Sequence, residues 1–130
     1  MQTADPLATH RGTHRLLLLF APAADDARYL EQVRRLQGVE DALAERDLRV
    51  FHLFERGQGV AGSSEVFPET AQRLREAFSV APEDFAAVLV GKDGTEKARY
   101  GAPVEPADLF GVIDQMPMQR QEMRERDGGA

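Results

Sequence analysis

The sequence predicts an α/β protein with a mixed four-stranded sheet and helices on both faces. Two runs, 15–20 and 85–90, are apolar almost throughout, as is typical of strands that are covered on both sides. Segments with helical periodicity alternate with these strands. At 130 residues, with 42% hydrophobic and 29% charged residues, the chain suits one globular domain.

The first half predicts a strand, a long helix and a second strand. After strand 15–20, either Asp25 or Asp26 can cap the helix that follows, and Gly38 marks a bend in it. An alternating strand over 48–54 comes next, and the right-handed connection makes the two strands parallel. The helix residues expected to be buried are Leu30, Val33, Leu36 and Leu43.

The second half predicts a loop, two helices and an antiparallel strand pair. Residues 55–66 read as a glycine- and serine-rich loop, and Pro68 begins a helix. Asp93-Gly94 is a strong hairpin signal that joins strand 85–90 to strand 95–100. Pro106 begins the last helix, which Pro117 ends. Its buried face is expected to hold Leu109, Phe110, Ile113 and Met116.

The resulting order, β-α-β-α-β-β-α, is that of the thioredoxin-like three-layer α/β/α fold, with strand order 2-1-3-4. Leu89-Val90-Gly91-Lys92-Asp93-Gly94 with Lys97, and the segment from Leu109 to Met123, resemble a family known as a domain of unknown function. That family occurs as small bacterial proteins and is similar to domains of extracellular sushi-repeat proteins. The resemblance covers roughly 15–124 and implies a thioredoxin-like or peroxiredoxin-like fold, with no settled activity. We predict no cofactor for this chain.

The chain has no cysteine. Alignment on Ala21-Pro22 places Ala24 and Ala27 where a thioredoxin has its two cysteines. Thiol–disulfide exchange and thiol peroxidase chemistry both need a thiolate nucleophile, so both activities are excluded.

Four residues form a candidate ligand site at one end of the predicted sheet: Asp25, Asp26, Arg56 and Tyr100. They follow the ends of predicted strands, where open α/β sheets commonly bind ligands. Capping of the helix by the aspartates is the favoured interpretation, and contact with a cation or a basic peptide is the alternative. A third metal ligand is missing nearby in the sequence, so the metal signal is weak.

Two further patterns favour structural roles. The segment 57–62 matches G-x-G-x-x-G, but the helix after it begins about six residues too late for a dinucleotide site, which favours a mobile loop. The three histidines, His10, His14 and His52, are too scattered to predict a metal site or a catalytic triad.

The predicted organisation is a disordered segment 1–14, a domain 15–117 and a charged helical or mobile tail 118–130. Methionines most often fill cores, but those near this tail also allow it to be a docking segment. The candidate docking residues are Met116, Met118, Arg120 and Met123.

The favoured function is a cysteine-free thioredoxin-like module that binds a protein or small ligand without redox chemistry. The alternative is a non-thiol enzyme with its site at Asp25 and Asp26, and a homodimer is a further possibility. A net charge of −6 opposes binding to nucleic acid or anionic membranes. No apolar leader is visible in 1–14, which predicts a cytoplasmic protein, and the resemblance suggests a bacterial type.

Overall fold

The computed structural model describes residues 11–57, 59–61 and 64–116, and they form one mixed sheet with helices on both faces. The strands are β1 (Arg15–Ala21), β2 (Leu48–Phe54), β3 (Gly59–Ala61), β4 (Ser64–Val66), β5 (Ala86–Val90) and β6 (Glu96–Tyr100). The helices are α1 (Ala27–Leu36), α2 (Glu40–Glu45), α3 (Pro68–Ala77) and α4 (Pro106–Asp114).

The sheet has the order β4-β3-β2-β1-β5-β6. β1 and β2 are parallel, with Arg15 opposite Leu48 and Ala21 opposite Phe54. β5 is antiparallel to both β1 and β6. These four strands have the order and directions predicted from the sequence, which confirms the α/β thioredoxin-like architecture.

The two faces of the sheet pack against different helices. Alternate side chains of β1, such as Leu18 and Phe20, share a core with Leu74 of α3. The side chains between them, such as Leu19, share a second core with Leu109 of α4. A strand at the centre of three layers has no solvent-facing side, which explains why β5 is apolar throughout and β1 is apolar after Arg15.

The prediction of a loop over 55–66 is wrong for part of that range, because the segment contains the hairpin β3–β4. Val60 lies opposite His52 of β2, and Gly59 lies opposite Val66 of β4. A Cβ atom at Gly59 would stand 2.9 Å from the His52 carbonyl oxygen, so the pairing needs glycine here. Three-residue strands are too short to show an alternating pattern, so the hairpin has no signal in the sequence.

The predicted long helix is two helices, α1 and α2. Gly38, with φ +87°, lies between them in the left-handed region that glycine adopts readily. Leu30, which was predicted to be buried, is 52% exposed, whereas the Gln32 side chain of the same helix is buried. The Gln32 side chain donates to the Val104 carbonyl at 3.0 Å and accepts from the Val104 N–H at 2.8 Å. Because both amide groups are satisfied, the polar side chain is tolerated inside.

The C-terminal half follows the prediction closely. The Asp93-Gly94 turn joins β5 and β6, and Gly94 has φ +84°. Pro106 is in the first turn of α4. Leu109 and Ile113 of this helix are fully buried. No helix among the described residues is long and apolar enough to cross a membrane.

Candidate functional site

The four predicted site residues lie at one edge of the sheet. We call it the carboxyl edge, because β1, β2, β4 and β6 all end there. Asp25 and Asp26 follow β1, Arg56 follows β2, and Tyr100 ends β6. The backbone N–H of Arg56 donates to the Pro22 carbonyl at 2.9 Å, which ties the two loops together. In the described part of the chain, no hydrogen bond joins any two of these four side chains.

Asp26 caps α1, as predicted. Its carboxylate accepts from the backbone N–H groups of Arg28 at 2.9 Å and Tyr29 at 3.2 Å. The Arg28 guanidinium also donates two hydrogen bonds to this carboxylate, from Nε to Oδ1 at 3.1 Å and from Nη2 to Oδ2 at 2.9 Å. This side-chain hydrogen bond is the main reason that the pKa of Asp26 lies below its ordinary value. Asp26 therefore stays ionised and is committed to the helix start.

The other three predicted residues differ in their accessibility. The side chains of Asp25 and Arg56 are exposed, so both can meet a partner. Tyr100 is partly buried against the core, and this burial raises the pKa of its hydroxyl. The described residues contain no group of three or more histidine, cysteine or acidic side chains placed to hold a metal ion.

Sequence reasoning missed a polar pair close to this edge. The Tyr29 hydroxyl lies 2.9 Å from Nδ1 of His52. The Tyr29 ring packs edge-on against Phe54, with centroids 4.9 Å apart. Burial lowers the pKa of His52 and raises that of Tyr29, so both side chains are neutral at neutral pH. The one available signal was the alternation of β2, which puts His52 on the same face as Phe54.

Two large apolar side chains are exposed at the carboxyl edge. Leu30, in the first turn of α1, is 52% exposed, and Phe67, the residue before α3, is 51% exposed. Leu30 lies in the first helix after β1, and Phe67 lies between β4 and α3. The carboxyl edge therefore carries two exposed apolar side chains as well as the exposed charges of Asp25 and Arg56.

The candidate docking tail is described only at its first residue. Met116 is partly buried and packs against the core of α4. Met118, Arg120 and Met123 lie outside the described residues, as do 1–10 of the predicted N-terminal segment.

Comparison with known proteins identifies the family. A family model described as "Domain of unknown function (DUF4174)" matches residues 6–122. The chain belongs to this family.

Several similar proteins come from animals. The domain is 34% identical over 112 residues to human sushi repeat-containing protein SRPX, a match that covers 84% of this chain and 24% of that protein. It is 30% identical over 133 residues to zebrafish coiled-coil domain-containing protein 80, covering 90% of this chain and 15% of the relative. The domain thus spans about a quarter or less of these curated relatives.

A solved structure gives the fold independently. Thioredoxin peroxidase I of Plasmodium yoelii superimposes with a TM-score of 0.61 at 14% identity, covering 92% of this chain and 79% of the other. At that identity the likeness shows the fold alone, and it confirms the thioredoxin-like and peroxiredoxin-like expectation. This chain has no cysteine with which to perform thiol chemistry.

The comparisons correct one set of predictions. A cytoplasmic, bacterial-type protein was expected, but the relatives are sushi repeat-containing proteins of human and frog. These belong to the extracellular class already noted as similar to the family. The cytoplasmic assignment and the bacterial label are therefore wrong.

Proposed function

We propose that this domain binds a protein partner through its carboxyl edge, without redox chemistry. The observation that carries the proposal is the exposure of Leu30 and Phe67 at that edge. Thioredoxin-like folds that act by thiol chemistry need a thiolate, and this chain has none. What the edge offers instead is a surface for contact.

The chemistry of the edge resembles that of a protein-binding surface. Leu30 and Phe67 are its exposed apolar side chains, and Asp25, Arg28 and Arg56 are exposed charged side chains of the same edge. Interfaces commonly combine an apolar centre with a polar rim, and aromatic and arginine side chains are favoured in them. The edge carries both signs of charge, which suits a mixed protein surface better than a polyanion.

The architecture of the relatives also supports a binding module. In the sushi repeat-containing relatives this domain makes up about a quarter of a longer chain. Because the domain is joined to other segments in these relatives, we expect it to contact other domains or proteins.

The competing proposal is a non-thiol enzyme at Asp25 and Asp26. A general acid or base works best with a pKa near the working pH. The pKa of Asp26 is lowered, which takes it further from neutral pH. Its carboxylate oxygens accept hydrogen bonds from the Arg28 side chain and from the backbone at the start of α1. The geometry therefore favours binding over catalysis at this edge.

Site-specific crosslinking tests the proposal. A photo-crosslinking amino acid in place of Phe67 captures the partner from the source organism, and the same group in place of Gln72 on α3 is the control. The captured protein is then purified and titrated with the wild type, Leu30→Glu, Phe67→Glu and Gln72→Glu.

We expect each of the first two variants to weaken binding by about tenfold or more, because a charge replaces a buried apolar contact. We expect Gln72→Glu to bind like the wild type. Capture of a second copy of this chain at position 67 identifies a homodimer through the same edge. Equal labelling at positions 67 and 72, or equal loss in all three variants, would refute the proposal.

A further inference from the structure

Arg75, on α3, is a charged side chain that lies almost entirely below the surface. The side chain is 6% exposed, and its Nη1 lies 3.4 Å from a carboxylate oxygen of Glu55. Glu55 directly follows the end of β2, so this contact places the guanidinium close to the carboxyl edge. A charge is costly to bury unless it is both paired and hydrogen-bonded. Burial of Arg75 therefore calls for acceptors at all of its nitrogens.

Most of the Arg75 guanidinium has no acceptor within the part of the chain that the structure describes. Nε and Nη2 are both shielded from solvent, and neither makes a hydrogen bond there. The contact with Glu55 uses Nη1, and its 3.4 Å is longer than the about 2.7–2.9 Å of a strong charge-assisted hydrogen bond. A buried donor without an acceptor loses its hydration without compensation, so Nε and Nη2 favour any acceptor that reaches them.

The same two nitrogens hold a carboxylate at other arginines of this chain. Nε and Nη2 of Arg46 donate to the two carboxylate oxygens of Asp114, each at 2.9 Å. Three further pairs share this arrangement: Arg28 with Asp26, Arg34 with Glu31, and Arg99 with Glu96. The two N–H groups lie parallel in the plane of a guanidinium and match the spacing of two carboxylate oxygens. A carboxylate is therefore the group that the unpaired side of Arg75 fits.

Glu55 gives a route from solvent to Arg75. Its side chain is 41% exposed, and in the described part of the chain Arg75 is the one hydrogen-bonding partner of that side chain. A guanidinium in contact with a half-exposed carboxylate lies only one side chain below the surface. Movement of Glu55 away from Arg75 breaks a single long contact, so it costs less than breaking a short bidentate pair.

We propose that Nε and Nη2 of Arg75 bind a carboxylate from outside the chain, one oxygen on each nitrogen, and that Glu55 moves aside to admit it. The carboxylate belongs either to an acidic side chain of the protein partner or to a free small acid. The first source rests on the proposed function, and the second does not. Because Glu55 stays close by, its charge repels a phosphate dianion more strongly than a carboxylate.

Titration of the full chain with formate at constant ionic strength tests the site, with the Nε–H signal of Arg75 in heteronuclear NMR spectra as the readout. We expect a saturable shift, with Kd on the order of 10 mM. Trimethylacetate carries the same charge but is too bulky to pass between packed side chains, and we expect it to bind more than about fivefold more weakly. A site that holds only water gives no saturating shift, and that result would overturn the proposal.

Variants separate this site from a general attraction of anions. Arg75→Lys keeps the charge but has no parallel N–H groups, and we expect formate to bind about fivefold more weakly, measured by the amide signal of residue 55. Arg73→Lys makes the same change at an exposed position of α3 and should leave the affinity unchanged. Glu55→Gln removes the competing charge and should tighten binding about threefold. Equal losses in Arg75→Lys and Arg73→Lys, or no tightening in Glu55→Gln, would contradict the proposal.

Thermal unfolding shows whether each variant keeps its fold. If Arg75→Lys unfolds, Glu55→Gln gives the deciding result, because it leaves the buried arginine in place.

The source of the carboxylate is decided by titrating the captured partner with Arg75→Lys and Leu30→Glu. Weaker binding of both variants assigns the carboxylate to the partner. Weaker binding of Leu30→Glu alone, with formate binding to the wild type, assigns it to a free acid. Unchanged partner binding by Leu30→Glu would count against the protein-binding function and leave the formate result standing.

Discussion

The hydroxyl of Tyr29 and Nδ1 of His52 lie 2.9 Å apart and join the first turn of α1 to β2. The two rings also meet edge-on, with centroids 5.7 Å apart. This bond gives a partner to a histidine nitrogen that is largely shielded from water. The pair therefore anchors the start of α1 beside the carboxyl edge.

Tyr29→Phe keeps the ring packing and removes only the hydroxyl. Because Nδ1 of His52 then has no partner in this pair, we expect the free energy of unfolding to fall by about 1–2 kcal/mol. Chemical denaturation with urea measures the change. Tyr100→Phe, which removes a hydroxyl at the end of β6, is the matched control and should cost less. Equal losses in the two variants would contradict a specific role for the pair.

The burial of His52 makes stability depend on pH. Its pKa in the folded protein lies below the ordinary value of 6.5, so the unfolded chain binds a proton first as the pH falls. We expect full stability above pH 6.5, a decline as the pH drops below that value, and a levelling once the folded pKa is passed. Thermal unfolding between about pH 8 and 5 follows this decline. His52→Gln should flatten the curve in this window.

The two adjacent aspartates before α1 are expected to behave differently. Asp26→Ala removes the cap and the Arg28 contact, and we expect it to cost about 0.5–2 kcal/mol of unfolding free energy. Asp25→Ala removes an exposed carboxylate that is not the cap and should change stability by less than about 0.5 kcal/mol. Urea denaturation of both variants measures the difference. A reversed order would place the cap at Asp25.

The low pKa of Asp26 adds a second test of the same cap. Its stabilising effect is present above the ordinary value of 3.8 and is lost as the pH falls through the lower folded value. The stability difference between wild type and Asp26→Ala should therefore shrink below pH 3.8. A difference that stays constant into strong acid would mean that the charge of Asp26 contributes nothing.

The hairpin β3–β4 depends on a glycine at position 59. In Gly59→Ala the new methyl meets the His52 carbonyl oxygen at 2.9 Å and Val66 Cβ at 3.2 Å. We expect the β2–β3 pairing to loosen, with faster amide hydrogen exchange in β3 and a loss of about 1–2 kcal/mol of stability. Gly101→Ala, whose methyl meets nothing within 4 Å, is the control. Unchanged exchange at Val60 in Gly59→Ala would show that β3 does not need the close approach.

The sequence by itself determined the order of the four main strands, the hairpin turn at Asp93-Gly94 and the start of α4 at Pro106. These features rest on local patterns, since apolar runs, proline and Asp-Gly act over a few neighbouring residues. The same locality predicted the cap before α1. Zero cysteine likewise excluded thiol chemistry without any structure.

Only the tertiary structure decided which side of α1 is buried and what stands beside the carboxyl edge. Gln32 is buried because Val104, 72 positions away, satisfies its amide, and Leu30 is left exposed. Tyr29 contacts His52, which is 23 positions away in the sequence. Arg15, Lys97 and Met116 line one cleft although they lie far apart in the chain. Such groups are brought together by folding of the whole chain, and no local pattern of residues records which distant partner each one meets.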